Sequence, residues 1–143
     1  MAQEVTSMKA SNTGVTNEIN QEVELKEKIK VFFTEVMTPF SEEVCPIRDV
    51  MAPSVDKWSI FIIFNLGYSN KLRFNQLKRR IPSISSRMLS ITLKKLEKNH
   101  IVKREIFAEV PPRVEYELTE FGKGFSDKMM DLTRWFVEEQ KGF

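Results

Sequence analysis

Residues 73–99 read RFNQLKRRIPSISSRMLSITLKKLEKN, and the fold turns on this stretch. It holds two short amphipathic segments with a Pro-Ser turn between them. The first, about Asn75–Arg80, sets Phe74, Leu77 and Ile81 on one face and Lys78, Arg79 and Arg80 on the other. Pro82 cannot continue a helix, because it lacks an N–H and its ring clashes with the preceding turn. Ser83 to Ser86 supply the turn and the next helix cap. The second segment, about Ser86–Lys98, places Leu89, Leu93 and Leu96 at spacings of four and three. That is the period of a helix buried on one side. Its other side carries Arg87, Ser90, Lys94, Lys95 and Lys98.

Downstream, Ile101–Phe107 and Val114–Leu118 read as strands. In the second, Val114, Tyr116 and Leu118 alternate with Glu115 and Glu117, the mark of a half-buried strand whose glutamates face solvent. Val110-Pro111-Pro112-Arg113 lies between them, and two prolines stiffen that connection. Thr119 then caps a last helix to about Gln140, with an inward stripe of Phe121, Phe125, Met129, Leu132 and Phe136.

Upstream, Ser54 or Asp56 caps a helix bearing Trp58, Phe61, Ile62 and Leu66, and Gly67 is placed to end it. That helix is apolar nearly all round, so it is expected at the centre of the core. A short helical stretch, Ile47–Ala52, precedes it. The segment Val23–Met37 has apolar positions at threes and fours, with Pro39 beyond it. Residues 1–21 are polar and aperiodic and read as a mobile arm, leaving residues 22–143 as the folded domain with its two terminal helices.

Charge is unevenly spread. Lys71 to Arg104 contains eleven Lys/Arg and one acid, Glu97, for a net of +10; the whole chain has +2, so the rest carries −8. A basic face of this density fits a polyanion. Other classes find little support. With 143 residues, 41% of them hydrophobic, the chain can build one core. One cysteine allows no intrachain disulfide and no structural zinc cluster, so the cytoplasm is the expected compartment. No secretory h-region is visible, and the longest uncharged apolar run, near Ile60–Leu66, is far short of the ~20 residues a membrane span needs. There is no phosphate-binding, zinc-protease or serine-hydrolase motif, so neither an enzyme nor a cofactor is expected.

The predicted fold is therefore mainly α with a small β-hairpin: a winged helix-turn-helix with extra N- and C-terminal dimerisation helices. In this layout the second helix of the pair enters the major groove of double-stranded DNA. Arg87, Ser90 and Lys94 lie on one face of it and can reach base edges. Ser85 and Ser86 stand at its start. Arg73, Asn75, Lys78 and Arg79 are placed for phosphates, which position without reading sequence. The stiff tip would hold Arg113 out toward the backbone or the adjacent minor groove.

The stretch Cys45–Trp135 resembles the HxlR-type winged-helix transcriptional regulators of bacteria and archaea, relatives of the MarR group. The carriers are Asp56–Trp58 (DKW), Arg73–Ser85, Met88–Asn99 and above all Val110–Gly122 (VPPRVEYELTEFG). The resemblance implies a homodimer, formed through the terminal helices, that binds palindromic operator DNA. Two positions depart from the family pattern. Glycine is usual where Asp56 stands, and also where His100 follows the recognition helix; a histidine tolerates a left-handed cap poorly, and the helix has the option of ending differently. Many relatives carry a cysteine at the place of Cys45, and in some it senses oxidants or electrophiles. Glu42 and Glu43 would raise the pKa of that thiol if near it in space.

Bland readings stand beside these. His100 reads as an ordinary helix-end residue, Trp58, Phe61 and Phe64 as core, and Met129 and Met130 as core or dimer seam. A winged-helix module that binds protein through its acidic remainder and terminal helices is the rival function. The residue pattern speaks to DNA, not to an inducer or to the sign of regulation.

Overall fold

The computed structural model describes residues 13–37 and 45–142. The readings of residues 1–12, Pro39, Glu42 and Glu43 lie outside them. The chain divides into two units, up to Pro46 and from Ile47 onward.

In the first unit, α1 spans Thr13–Phe32 and passes into a π-helical turn, Phe33–Met37. The helix thus starts well before Val23, and residues 13–21, read as arm, are helical. Glu22–Lys26 and Glu24–Lys28 pair at i,i+4, each at 2.6 Å, with the glutamate on the favourable N-terminal side. Both pairs lie beyond the residues read as arm; residues 13–21 extend the same helix, and residues 14–21 are exposed.

A π-helical turn, Pro46–Met51, leads into the second unit, with one turn of helix, α2 (Ala52–Ser54), after it. Helix α3 (Lys57–Ser69) follows. Asp56 caps it, its Oδ1 accepting from the N–H groups of Trp58 and Ser59. Ile62, Ile63 and Leu66 are buried, whereas Phe61 is exposed. Gly67 does not end this helix. It continues to Ser69 and stops at Asn70, whose φ of 62° is left-handed. A Cβ at Gly67 would meet Ser126 Oγ at 3.4 Å, so the glycine serves the contact with the last helix instead.

The sheet has three strands, not a hairpin alone. Strand β1 (Lys71–Arg73) joins β2 (Val102–Phe107) and β3 (Arg113–Leu118) in the order β1-β3-β2, all antiparallel. Lys71 pairs with Glu117 and Arg73 with Glu115 across β1 and β3; Val102 pairs with Leu118 across β2 and β3. A central β3 changes the role of its acids. Glu117 lies between two lysines, 2.5 Å from Lys103 and 3.8 Å from Lys71. Its carboxyl is held below the usual range by the hydrogen bond from Lys103, against burial and with help from both ammonium charges. Glu115 pairs with Arg113 at 3.6 Å. These glutamates are half-buried cross-strand partners, not a solvent face.

Helix α4 (Phe74–Arg80) and helix α5 (Ser86–Lys98) form the helix-turn-helix pair. Leu77 of α4, Ile84 of the turn, and Leu89, Leu93 and Leu96 of α5 are at most 1% exposed and join α3 in one core. The end of α5 settles the question posed by His100. This residue takes φ 57°, its N–H reaches Glu97 O at 3.0 Å, and Ile101 N–H reaches Leu96 O at 3.0 Å. That is a Schellman cap with histidine in the left-handed place. Ile101 and Leu96, both 0% exposed, supply its apolar contact and offset the local strain.

Helix α6 (Glu120–Gln140) is capped by Thr119. Its buried residues are Gly122 and Ser126, with Phe125 packed on the core; Phe121, Leu132 and Phe136 of the expected inward stripe are exposed.

Candidate nucleic-acid interface

Helix α5 is positioned at both ends and along one side. At its start, Ser85 Oγ accepts from Met88 N–H at 3.0 Å, which spends the serine on capping. At its end stands the His100 turn. Along its side, Lys95 Nζ donates to Asp56 Oδ2 at 2.5 Å, joining α5 to the start of α3. The same oxygen accepts from Ser59 Oγ at 2.6 Å. Burial works against the charge of Asp56, but the hydrogen bonds from Lys95 and Ser59 outweigh it and hold the carboxyl below its ordinary range.

Opposite the leucines, α5 presents Arg87, Ser90, Ile91 and Lys94, of which Ser90 is half-buried and the others are exposed. These are residues i, i+3, i+4 and i+7, one continuous helical face. Ser86 is exposed in the first turn, where free N–H groups favour an anion. On the preceding helix, Arg73, Asn75 and Arg79 are exposed and Lys78 is half-buried. The N–H of Arg73 donates to Gln76 Oε1 at 2.8 Å, so the Gln76 side chain reaches back to the start of α4.

The basic residues fall into two groups. Lys71, Lys95 and Lys103 are ion-paired within the fold, and Arg80 donates to Ser69 Oγ. Among the described residues, Arg73, Lys78, Arg79, Arg87, Lys94, Lys98 and Arg104 make no ion pair. The sequence showed the charge but not this division, since Asp56 and Lys95 are 39 positions apart.

The wing departs from expectation. Arg113 is not at the tip and is not held outward. Its guanidinium lies over the Phe107 ring at 4.0 Å and pairs with Glu109 at 3.1 Å and Glu115 at 3.6 Å, with Nε buried. A cation with an aromatic face and two carboxylates to hand gains more by folding back than by extending. The exposed tip is Glu109, Val110, Pro111 and Pro112, and the Val110–Pro111 bond is cis.

Two short helices around a proline turn, a three-stranded sheet with its wing, and a basic face on the second helix are now in place. Residues 55–141 match the family model described as HxlR-like helix-turn-helix. The chain belongs to this family. It is a helix-turn-helix transcriptional regulator and not an enzyme.

The HxlR-like relatives include the HTH-type transcriptional regulator YybR of Bacillus subtilis (strain 168). It is 37% identical over 95 residues, which make up 66% of this chain and 75% of that protein. Among solved structures, diamide-treated YodB from B. subtilis superposes with a TM-score of 0.59 at 31% identity, covering 66% of this chain and 94% of that one. The redox regulator HypR in its oxidised form gives 0.58 at 36% identity, covering 66% and 96%. Solved MarR-family regulators share the winged-helix architecture, one from Enterococcus faecalis V583 with a TM-score of 0.62. No helix among the described residues is long and apolar enough to cross a membrane, and no group of three or more His, Cys, Asp or Glu comes together there as a metal site.

Proposed function

We propose that this HxlR-like regulator binds double-stranded DNA sequence-specifically, as a homodimer on a palindromic operator, in the cytoplasm. The supporting observation is the outer face of α5. Arg87 and Lys94 are exposed and without ion pairs among the described residues, while Leu89, Leu93 and Leu96 fix the opposite face. Two such helices related by a two-fold axis would reach successive major grooves. In this reading Arg87, Ser90 and Lys94 meet bases, while Arg73, Asn75, Lys78, Arg79 and Ser86 meet phosphates. Ser85 acts as the cap that aims α5. Arg113 stiffens the wing from within. Dimerisation falls to the terminal helices, α1 and α6. The protein-binding alternative fits the unpaired cations on α4 and α5 less well.

Fluorescence anisotropy against the upstream intergenic duplex and a scrambled one, at two salt concentrations, tests this. Tighter binding to the upstream duplex is expected, weakening steeply as salt rises. Arg87→Ala is expected to cost about 1–3 kcal/mol and relax base preference, whereas Lys78→Ala weakens all sequences alike and lowers the salt slope by about one. Absence of binding at low salt would sink the reading in favour of a protein partner.

A second reading concerns the signal. YodB and HypR, the latter a redox regulator by name, match this chain in fold and sequence. Cys45, half-buried at the start of the second described stretch, is the only thiol in the chain. Its oxidation or alkylation is proposed to alter DNA affinity. Diamide is expected to change binding by the wild type and leave Cys45→Ser unaffected; equal responses would refute the role.

A further inference from the structure

Ile91 is a branched hydrocarbon in the middle of the polar face of α5. It is 49% exposed, with Arg87 one turn before it, Lys94 one turn after it and Ser90 beside it. At 100° per residue it sits about 160° around the helix from both Leu89 and Leu93. Those leucines are buried in the core, so Ile91 has no path to it. Its backbone belongs to a helix held at both ends, by the Ser85 cap and the His100 turn. Its β-branch leaves one strongly preferred χ1 in a helix, so the methyl groups are presented in a fixed direction. The only neighbouring exposed apolar side chain on this helix is Met88, 39% exposed and one turn earlier. Two such side chains between unpaired cations make a poor seat for a protein partner and a good one for an apolar spot on a polyanion.

The major groove offers one apolar group at the base edges, the C5-methyl of thymine. We propose that Ile91 is a specificity-determining residue that reads a thymine methyl in the operator, while Arg87 and Lys94 supply the flanking polar contacts. The early turns of a recognition helix are the part that reaches bases, and Ile91 is the sixth residue of α5. The proposal rests on the reading that α5 enters the major groove. It deepens that reading by naming the base.

The test separates the methyl from everything else about the site. The tightest-binding duplex is selected by the wild type from a randomised pool and resynthesised with uracil in place of thymine, which removes only the methyl groups. Wild-type protein is expected to bind the thymine duplex about fourfold more tightly for each methyl covered. Ile91→Ala is expected to bind the two duplexes alike, with its salt slope unchanged, since no phosphate contact is lost. Any effect of uracil on duplex shape persists in the variant, so the change in the thymine-to-uracil ratio is the diagnostic quantity. A wild-type ratio near one, or a variant with the wild-type ratio, overturns the assignment and leaves DNA binding intact. Failure of the wild type to enrich any duplex overturns the docking of α5 and this assignment with it.

Discussion

Gly122→Ala lowers the melting temperature of the folded unit by roughly 10–25 °C, and Gly124→Ala, two residues on, raises it. The two glycines lie in the first turns of α6 and differ in one respect. A Cβ at Gly122 would stand 2.0 Å from the carbonyl oxygen of Ile101, 3.0 Å from its carbon and 3.3 Å from its Cα. All three are backbone atoms, and Ile101 is fully buried at the Schellman turn behind α5. No rotamer change relieves the clash, so the start of α6 has to retreat. Retreat breaks the hydrogen bond from Thr119 N–H to Ile101 O, 3.0 Å, and the link from Thr119 Oγ1 to His100 O. Overpacking costs about 1–3 kcal/mol, and each lost hydrogen bond about 0.5–1.5 kcal/mol. Better helix propensity returns about 1 kcal/mol. The balance is a loss of about 1–5 kcal/mol with a centre of about 3 kcal/mol, and for a unit of this size each kcal/mol shifts the midpoint by about 4–8 °C. Nothing lies within 4 Å of a Cβ at Gly124, so there only the propensity remains, a gain of about 0.5–1 kcal/mol. Thermal unfolding followed by circular dichroism reads both. Equal midpoints for the two variants would mean that α6 does not rest on the Ile101 backbone. The stake reaches the candidate interface, because this contact ties the last helix to the end of α5.

The helix-turn-helix was legible because its determinants are local. Leu89, Leu93 and Leu96 repeat at helical spacing, Pro82 breaks, and Ser85 caps, all within one short window. Strand β1 was not legible, since Lys71–Arg73 is three residues long and exists through pairing with Glu115–Glu117, more than forty positions later. The same distance effect hid the partners of Asp56 and Glu117. Two helix ends were misjudged for a related reason. Gly67 looks like a stop, and Asn70 and His100 do not, yet the left-handed residues are Asn70 and His100. At His100, packing of Ile101 against Leu96 decided the matter over intrinsic preference. In α6 the periodic stripe of large residues turned inward only in part: Phe125 packs on the core and Met129 is half-buried, while Phe121, Leu132 and Phe136 stay exposed. The contact with α3 is close, with Gly67 opposite Ser126, and only small side chains fit there. On the candidate interface, the basic residues and their helical face were readable. Which cations the fold had already engaged depended on tertiary structure, whereas the outward place of Ile91 follows from helical spacing.

The large residues displaced from that close contact carry the other strong expectation: in the homodimer proposed above, Trp135→Glu is expected to yield a monomer. Past Met130, α6 exposes Leu132, Trp135, Phe136 and Val137, each between 48% and 57%. Trp135 has Phe136 as its aromatic neighbour, with ring centroids 6.4 Å apart. Fully burying such a side chain stabilises by roughly 1.5–3 kcal/mol, so four of them left in water form a costly surface. A two-fold axis lets one copy of the face cover another, and each residue then counts twice. Aromatic residues at the centre of an interface commonly contribute about 2–4 kcal/mol on truncation, and a carboxylate there adds desolvation. Two copies of the change are expected to weaken the dimer by about a thousandfold or more. Within one chain the substitution removes little, because Trp135 lies outside the core, so any fall in melting temperature is expected to match the concentration-dependent stabilisation that the dimer supplies. Sedimentation at micromolar protein is expected to give twice the chain mass of 16.7 kDa for the wild type and 16.7 kDa for the variant. DNA affinity should then fall toward that of a single half-site, with the salt slope reduced because half the phosphate contacts are gone. A wild type that sediments at the chain mass, or a variant that stays dimeric, would show that this face of α6 serves some other partner.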